Sequence, residues 1–358
     1  MKLEAILLLL ALPILSLAKG SKEDIHVSKT FSITPNGTVE IINKYGTLHI
    51  NTWDKDSVNF EISFHISEKN PAQLERIKEN VNFQFHGDET YRKCATVFDN
   101  SYSTSSFLKD IKERTNISGG ESFNSKINMT VTVPSSVKLT IDYKYGNINI
   151  PNHDGNIKLT LSNGKFQGFN LNGSNDFNLS YGRAQIAHVN QMSLNLNYSD
   201  SEIREVNTLN LSSKSSDIKI DKASLVNFTS ARGKLSFMDI DNVFGSSQFS
   251  ELTIMQLNKS TALKMDYGTL SQLNLNSTSK RVDLDCTNTP IQIKLDPAKA
   301  YTFDITAQKS PIKTKQNIKW KESQEENTNI IQRTGSKQGN KEATDIDIKS
   351  KNSKINID

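Results

Sequence analysis

The sequence predicts an all-β chain: a parallel β-solenoid, or β-helix-like repeat array, behind an N-terminal β region that holds one short helix. Three observations predict it. Apolar pairs separated by one polar residue return at a nearly fixed step, as in Tyr143, Leu161, Leu179 and Leu196, with steps of 18, 18 and 17 residues. A small turn residue follows each pair, as Gly146, Gly164, Gly182 and Ser199 do. The residue between the two apolar ones is usually polar, often Asn, so inward and outward positions alternate with the period of a strand.

Composition fits a thin, elongated core. Of 358 residues, 35% are hydrophobic and 23% charged, and the formal net charge is +4 from 43 basic and 39 acidic residues. That charge is nearly balanced, so the concentrated basic face that nucleic acid requires is not expected.

Met1 to Ala18 reads as a secretory signal peptide. Lys2 supplies the basic start, Ala5 to Leu15 the apolar run, and Ser16-Leu17-Ala18 the small-x-small cleavage site. The run is too short for a membrane-spanning helix, and no later stretch approaches spanning length. The expected location is therefore exported: periplasm, outer surface or extracellular. An exported chain can pair cysteines, but Cys94 and Cys286 are far apart, and spacing alone favours two lone thiols.

Residues 24–133 form the N-terminal β region. Val58 to Ile66 alternates strictly between apolar and polar residues. Asn70-Pro71 then starts a helix near 71–82, with Asn70 as its cap, Pro71 in its first turn, and Leu74, Ile77 and Val81 on one face. Residues 86–124 are dense in Ser, Asn, Asp and Lys and lack a clean period, which predicts a long loop excursion.

Residues 134–312 carry the repeats, of about 17–18 residues. The second apolar anchor is read at 143, 161, 179, 196, 211 and 228, and the turn at Gly146, Gly164, Gly182, Ser199, Lys214, Ala231 and Gly268. Glycine at the turn predicts positive φ or a coil corner. Leu161, Leu179, Leu196 and Leu211 are expected to form one buried column. An antiparallel meander or sandwich has the same strand content; the identical turn in every unit favours the solenoid. Residues 313–358 are expected to hold a polar loop and then closing strands, Ile346-Asp-Ile348 and Ile355-Asn-Ile357.

The repeated turn Tyr-Gly-x-Ile/Leu-x-Ile resembles the putative adhesin domain of bacterial exported proteins, a family of unknown function. The matching residues are Tyr45-Gly46-Thr-Leu48-His-Ile50 with Trp53, Tyr145-Gly146-Asn-Ile148-Asn-Ile150, Val131-Thr-Val133-Pro134, and the closing unit. The resemblance implies a β-solenoid of the cell envelope and carries over no catalytic residues.

No nucleophile elbow, phosphate-binding loop, dinucleotide fingerprint or His-Glu-x-x-His is present, so no catalytic residue, metal ligand or cofactor is assigned. Asp239-x-Asp241, Asp283-x-Asp285 and Asp345-x-Asp347 read as solvated faces. Tyr145, Tyr181, Tyr198 and Tyr267 precede the bend and are the candidate ligand-contact aromatics. The expected function is a non-catalytic binding or structural module of the envelope, with a cell-surface glycan or an envelope protein as partner and no nucleic acid. Two rivals stand beside it: a carbohydrate-active enzyme on the same scaffold, with two carboxylates about 5–10 Å apart, and a periplasmic partner in envelope signalling.

Overall fold

The computed structural model describes residues 21–68, 70–98, 125–324 and 329–358. The expected signal peptide lies outside the described residues, as does most of the expected excursion. From Lys138 onward the chain winds in parallel coils. The first half of strand Lys138–His153 pairs with Ile157–Ser162 and its second half with Lys165–Ser180. Ala184 then lies beside Phe166 on one side and Ser201 on the other, and the coils continue in parallel to Ile291–Lys294. Parallel ladders throughout the repeats are those of a solenoid; a meander would alternate direction.

Each coil sits about 4.8 Å above the last, so equivalent side chains form columns. Ile141, Leu159, Phe177, Leu194, Leu211 and Phe228 are successive neighbours and all buried. The next column is Tyr143, Leu161, Leu179, Leu196, Ser213 and Ser230. Leu211 therefore stacks on Leu194, not on Leu196, and the expected register slips by two residues from there. The turn positions move with it, from Lys214 to Ser216 and from Ala231 to Gly233. The cause is chemical: the anchor column switches from Leu to Ser, and buried Ser213 donates from its hydroxyl to that of Ser230 at 3.0 Å.

The corners hold the expected glycines. Gly146, Gly164, Gly182 and Gly268 do sit at coil corners, but positive φ belongs to the residue before each: Tyr145 (57°), Asn163 (57°), Tyr181 (56°) and Tyr267 (54°). Glycine follows for want of room. A Cβ on Gly164 would lie 1.9 Å from the Gly146 carbonyl oxygen of the coil below. Other corners carry Ser or Thr and use a hydroxyl ladder instead. Ser216 Oγ accepts from the Ser199 N–H at 3.0 Å and donates to the Lys214 carbonyl at 2.9 Å. Thr289 repeats the pattern, accepting from the Gly268 N–H and donating to the Thr287 carbonyl.

The N-terminal region continues both faces of the solenoid. Strand Thr38–Trp53 pairs in parallel with Lys138–His153 and forms the first coil. Beyond its first half lie Tyr91–Phe98 and then Val81–Asp88; beyond its second half lie Lys126–Pro134, Ser57–Glu68 and Ser21–Ser32. Strand Tyr91–Phe98 occupies part of the span 86–124 read as an excursion. Helix Pro71–Asn80 joins the two layers, with Asn70 Oδ1 accepting from the Ala72 N–H and Leu74 and Ile77 buried. Phe31, Phe60 and Phe85 close the seam between the layers, with Phe60 and Phe85 5.6 Å apart.

The other end departs from chain order. Strand Arg281–Thr287 pairs with Thr344–Lys351, which pairs in turn with Tyr301–Gln308. Ile355–Ile357 likewise lies between Ile291–Lys294 and Ile312–Thr314. The last unit in sequence is thus slotted between two coils that precede it. The outer edge is covered by antiparallel strands Ile330–Lys337 and Lys319–Gln324, and Trp320 packs 5.5 Å from Phe303.

Candidate functional site

The corner is the most regular feature of the surface. Among the described residues, twelve non-glycine positions have positive φ, and each is the first residue of a coil corner. Their spatial order is Tyr45, Tyr145, Asn163, Tyr181, Tyr198, Ser215, Arg232, Phe249, Tyr267, Asn288, Asn352 and Lys309, following the coil pairings. The four aromatics read from sequence all fall on this column. Tyr145 is 40% exposed, Tyr181 59%, Tyr198 51% and Tyr267 59%.

The rings stack along the column. Tyr45 and Tyr145 lie 5.3 Å apart and 9° from parallel, Tyr181 and Tyr198 5.4 Å and 2°, and Phe249 and Tyr267 5.4 Å and 20°. The Arg232 guanidinium sits over Phe249 at 5.9 Å. Left-handed φ costs a non-glycine L-residue about 1–2 kcal/mol, and Asn bears it best. Asn does hold three of these corners, at 163, 288 and 352. An aromatic there bears more steric strain, which ring stacking of about 0.5–1.5 kcal/mol per pair offsets. Neither Phe249 nor Arg232 is among the corner residues read from the sequence, though a step of 17–18 residues from Tyr198 through Ser215 reaches both.

Two of the carboxylates on the outer faces are engaged by neighbouring cations. Arg281 Nε lies 2.8 Å from Asp283, and Lys259 Nζ 2.8 Å from Asp241. The Lys259 hydrogen bond holds the Asp241 carboxyl below the usual carboxylate range, the opposite of what a general acid requires. Parallel pairing does bring Asp283 beside Asp347, and Asp347 beside Asp304, neighbours that sequence distance hides. Among the described residues, no group of three or more His, Cys, Asp or Glu is placed to hold a metal ion. Cys94 and Cys286 are free and buried in different coils, and burial pushes both thiols up to about 12. No described helix is long and apolar enough to cross a membrane.

The family Toastrack DUF4097 matches residues 39–358, nearly the whole chain. The chain belongs to that family. No curated protein matches this Toastrack chain. Several solved structures are similar to this chain. A putative adhesin from Parabacteroides distasonis is similar over 76% of this chain and 97% of its own, at 9% identity and a TM-score of 0.42. A putative cell adhesion protein from Clostridium sporogenes covers 95% of this chain and 99% of its own, at 10% identity and a TM-score of 0.20. A putative lipid binding protein from Parabacteroides distasonis covers 76% and 96%, at 9% identity and a TM-score of 0.35. Identities this low say nothing about what the Toastrack chain binds.

Proposed function

We propose that this chain is an exported, non-catalytic binding module of the cell envelope, adhesin-like in role, which meets its ligand with the corner column. The observation that carries the proposal is the placement of Tyr145, Tyr181, Tyr198, Phe249 and Tyr267 at strained corners with their rings in solvent. Aromatic rings in solvent offer large, rigid contact area at little entropic cost. The rival enzyme needs a carboxyl free to act as general acid, whereas Asp241 and Asp283 are engaged by Lys259 and Arg281.

The test is binding of purified protein to immobilised cell envelopes, wild type against a chain with Tyr181, Tyr198 and Tyr267 all changed to Ala. The expected result is loss of most of the bound fraction, with circular dichroism unchanged. Equal binding by the two proteins sinks the reading. Protease shaving of intact cells, with and without outer-membrane rupture, tests the compartment in the same strain.

A further inference from the structure

Between Tyr45 and Tyr267 the aromatic column is interrupted at Asn163 and again at Ser215 and Arg232. Tyr145 and Tyr181 occupy the corners on either side of Asn163, because Asn147 pairs with Lys165 and Lys165 with Arg183 in successive coils. Tyr145 uses one ring face on Tyr45, and Tyr181 uses one on Tyr198. Their other faces look toward each other across the short Asn163 side chain. Two coil steps separate the rings by about 10 Å. A ring placed midway would sit about 5 Å from each, within the range of favourable ring contacts.

We infer that the gap over Asn163 is a binding slot for one sugar ring of a surface glycan. The inference rests on the corner-column reading and gives it a ligand class. A pyranose has two C–H faces and a hydroxylated edge. The tyrosine faces match the first. The exposed Asn163 amide, on a left-handed corner (57°), lies at the floor to match the second. A groove of about 420 Å³ adjoins it, lined by Thr47, Lys126, Tyr145, Asn147 and Asn163. A partner protein's aromatic side chain would fill the same gap but leave that polar rim unmatched. Six-membered sugars satisfy both faces and rim.

The test uses isothermal titration of the purified chain with cellohexaose, chitohexaose and mannohexaose, and with N-acetyltryptophanamide as the aromatic control. Asn163→Tyr fills the gap with a residue this corner position already accepts in neighbouring coils, so the fold should persist; its thermal midpoint checks that. At least one hexasaccharide should bind. Asn163→Tyr and Tyr181→Ala should each weaken it on the order of tenfold, while Phe169→Ala, at an exposed aromatic off the corner column, should leave it within about twofold of wild type. If Asn163→Tyr does not fold, Tyr145→Ala joins Tyr181→Ala as the deciding pair.

Wild-type affinity in Asn163→Tyr overturns the slot, as does the absence of binding by all three hexasaccharides. Binding of N-acetyltryptophanamide alone, abolished by Asn163→Tyr, overturns it in favour of a protein partner. The two readings fail differently. If Ala at Tyr145, Tyr181, Tyr198 and Tyr267 together abolishes sugar binding but Asn163→Tyr does not, the slot falls and the corner column stands. If the fourfold variant binds like wild type, both fall.

Discussion

Ser216→Ala should cost about 2–3 kcal/mol of folding stability, and the corner ladder shows why. Ser216 and Ser199 are both buried. The substitution removes the Oγ that accepts from the Ser199 N–H at 3.0 Å, leaving a buried donor without its acceptor at a cost of about 1–3 kcal/mol. It also removes a donor to the Lys214 carbonyl, but that oxygen still accepts from the Tyr198 N–H at 3.0 Å, so this loss is the smaller, about 0.5–1 kcal/mol. Ser216→Thr is the matched control, because Thr289 performs both bonds at the equivalent corner. Equilibrium urea unfolding of the three proteins measures the difference. A loss under about 0.5 kcal/mol for Ser216→Ala, the scale of an ordinary surface change, would refute the hydroxyl ladder as a structural device.

Two further outcomes follow from buried groups. Cys94 and Cys286, with thiols pushed up to about 12 by burial, should not react with Ellman's reagent in the native state at neutral pH, and both should react in urea; native labelling of either would contradict its burial. His153 is buried, donates from Nε2 to the Val137 carbonyl at 2.8 Å, and has its pKa lowered from 6.5, chiefly by desolvation. The unfolded chain therefore takes up a proton below about pH 6.5 that the folded chain refuses, so this contribution is full above that pH and is lost as pH falls. Urea midpoints at descending pH should drop more steeply for wild type than for His153→Asn; equal slopes would refute this.

Strands and corners were legible in the sequence because period-2 alternation and the residue pair at each corner are local. The register beyond Leu196 was not. Ser213 and Ser230 occupy core positions, and a reader following hydrophobicity moves to Leu211 and Phe228, two residues early. Which corner residue is left-handed was not legible, because glycine is the usual signal for positive φ; here glycine marks the closeness of the next coil, and Tyr or Asn takes the turn. The aromatic candidates were found because each precedes a corner. That they stack in pairs, with breaks at Asn163 and at Ser215 and Arg232, depends on which coils touch, and for Tyr45 and Tyr145 the intervening hundred residues hide it. The adjacency of Asp283, Asp347 and Asp304 was invisible for the same reason.

The slotted final coil sets an order-of-events problem. During synthesis Tyr301–Thr314 emerges before Thr344–Ile357, yet it belongs one level further out. Until the later segment arrives, Val282 and Leu284 find the same alternating pattern in Phe303 and Ile305 that they will find in Ile346 and Ile348. A shortcut stack, one coil short, is therefore a near-native competitor, with matched apolar faces and parallel ladders. Such consistency among wrong partners is local frustration in an otherwise repetitive landscape. Unlike an ordinary repeat array, which can grow coil by coil from either end, this one must keep its penultimate gap open, or reopen it, before maturation is complete.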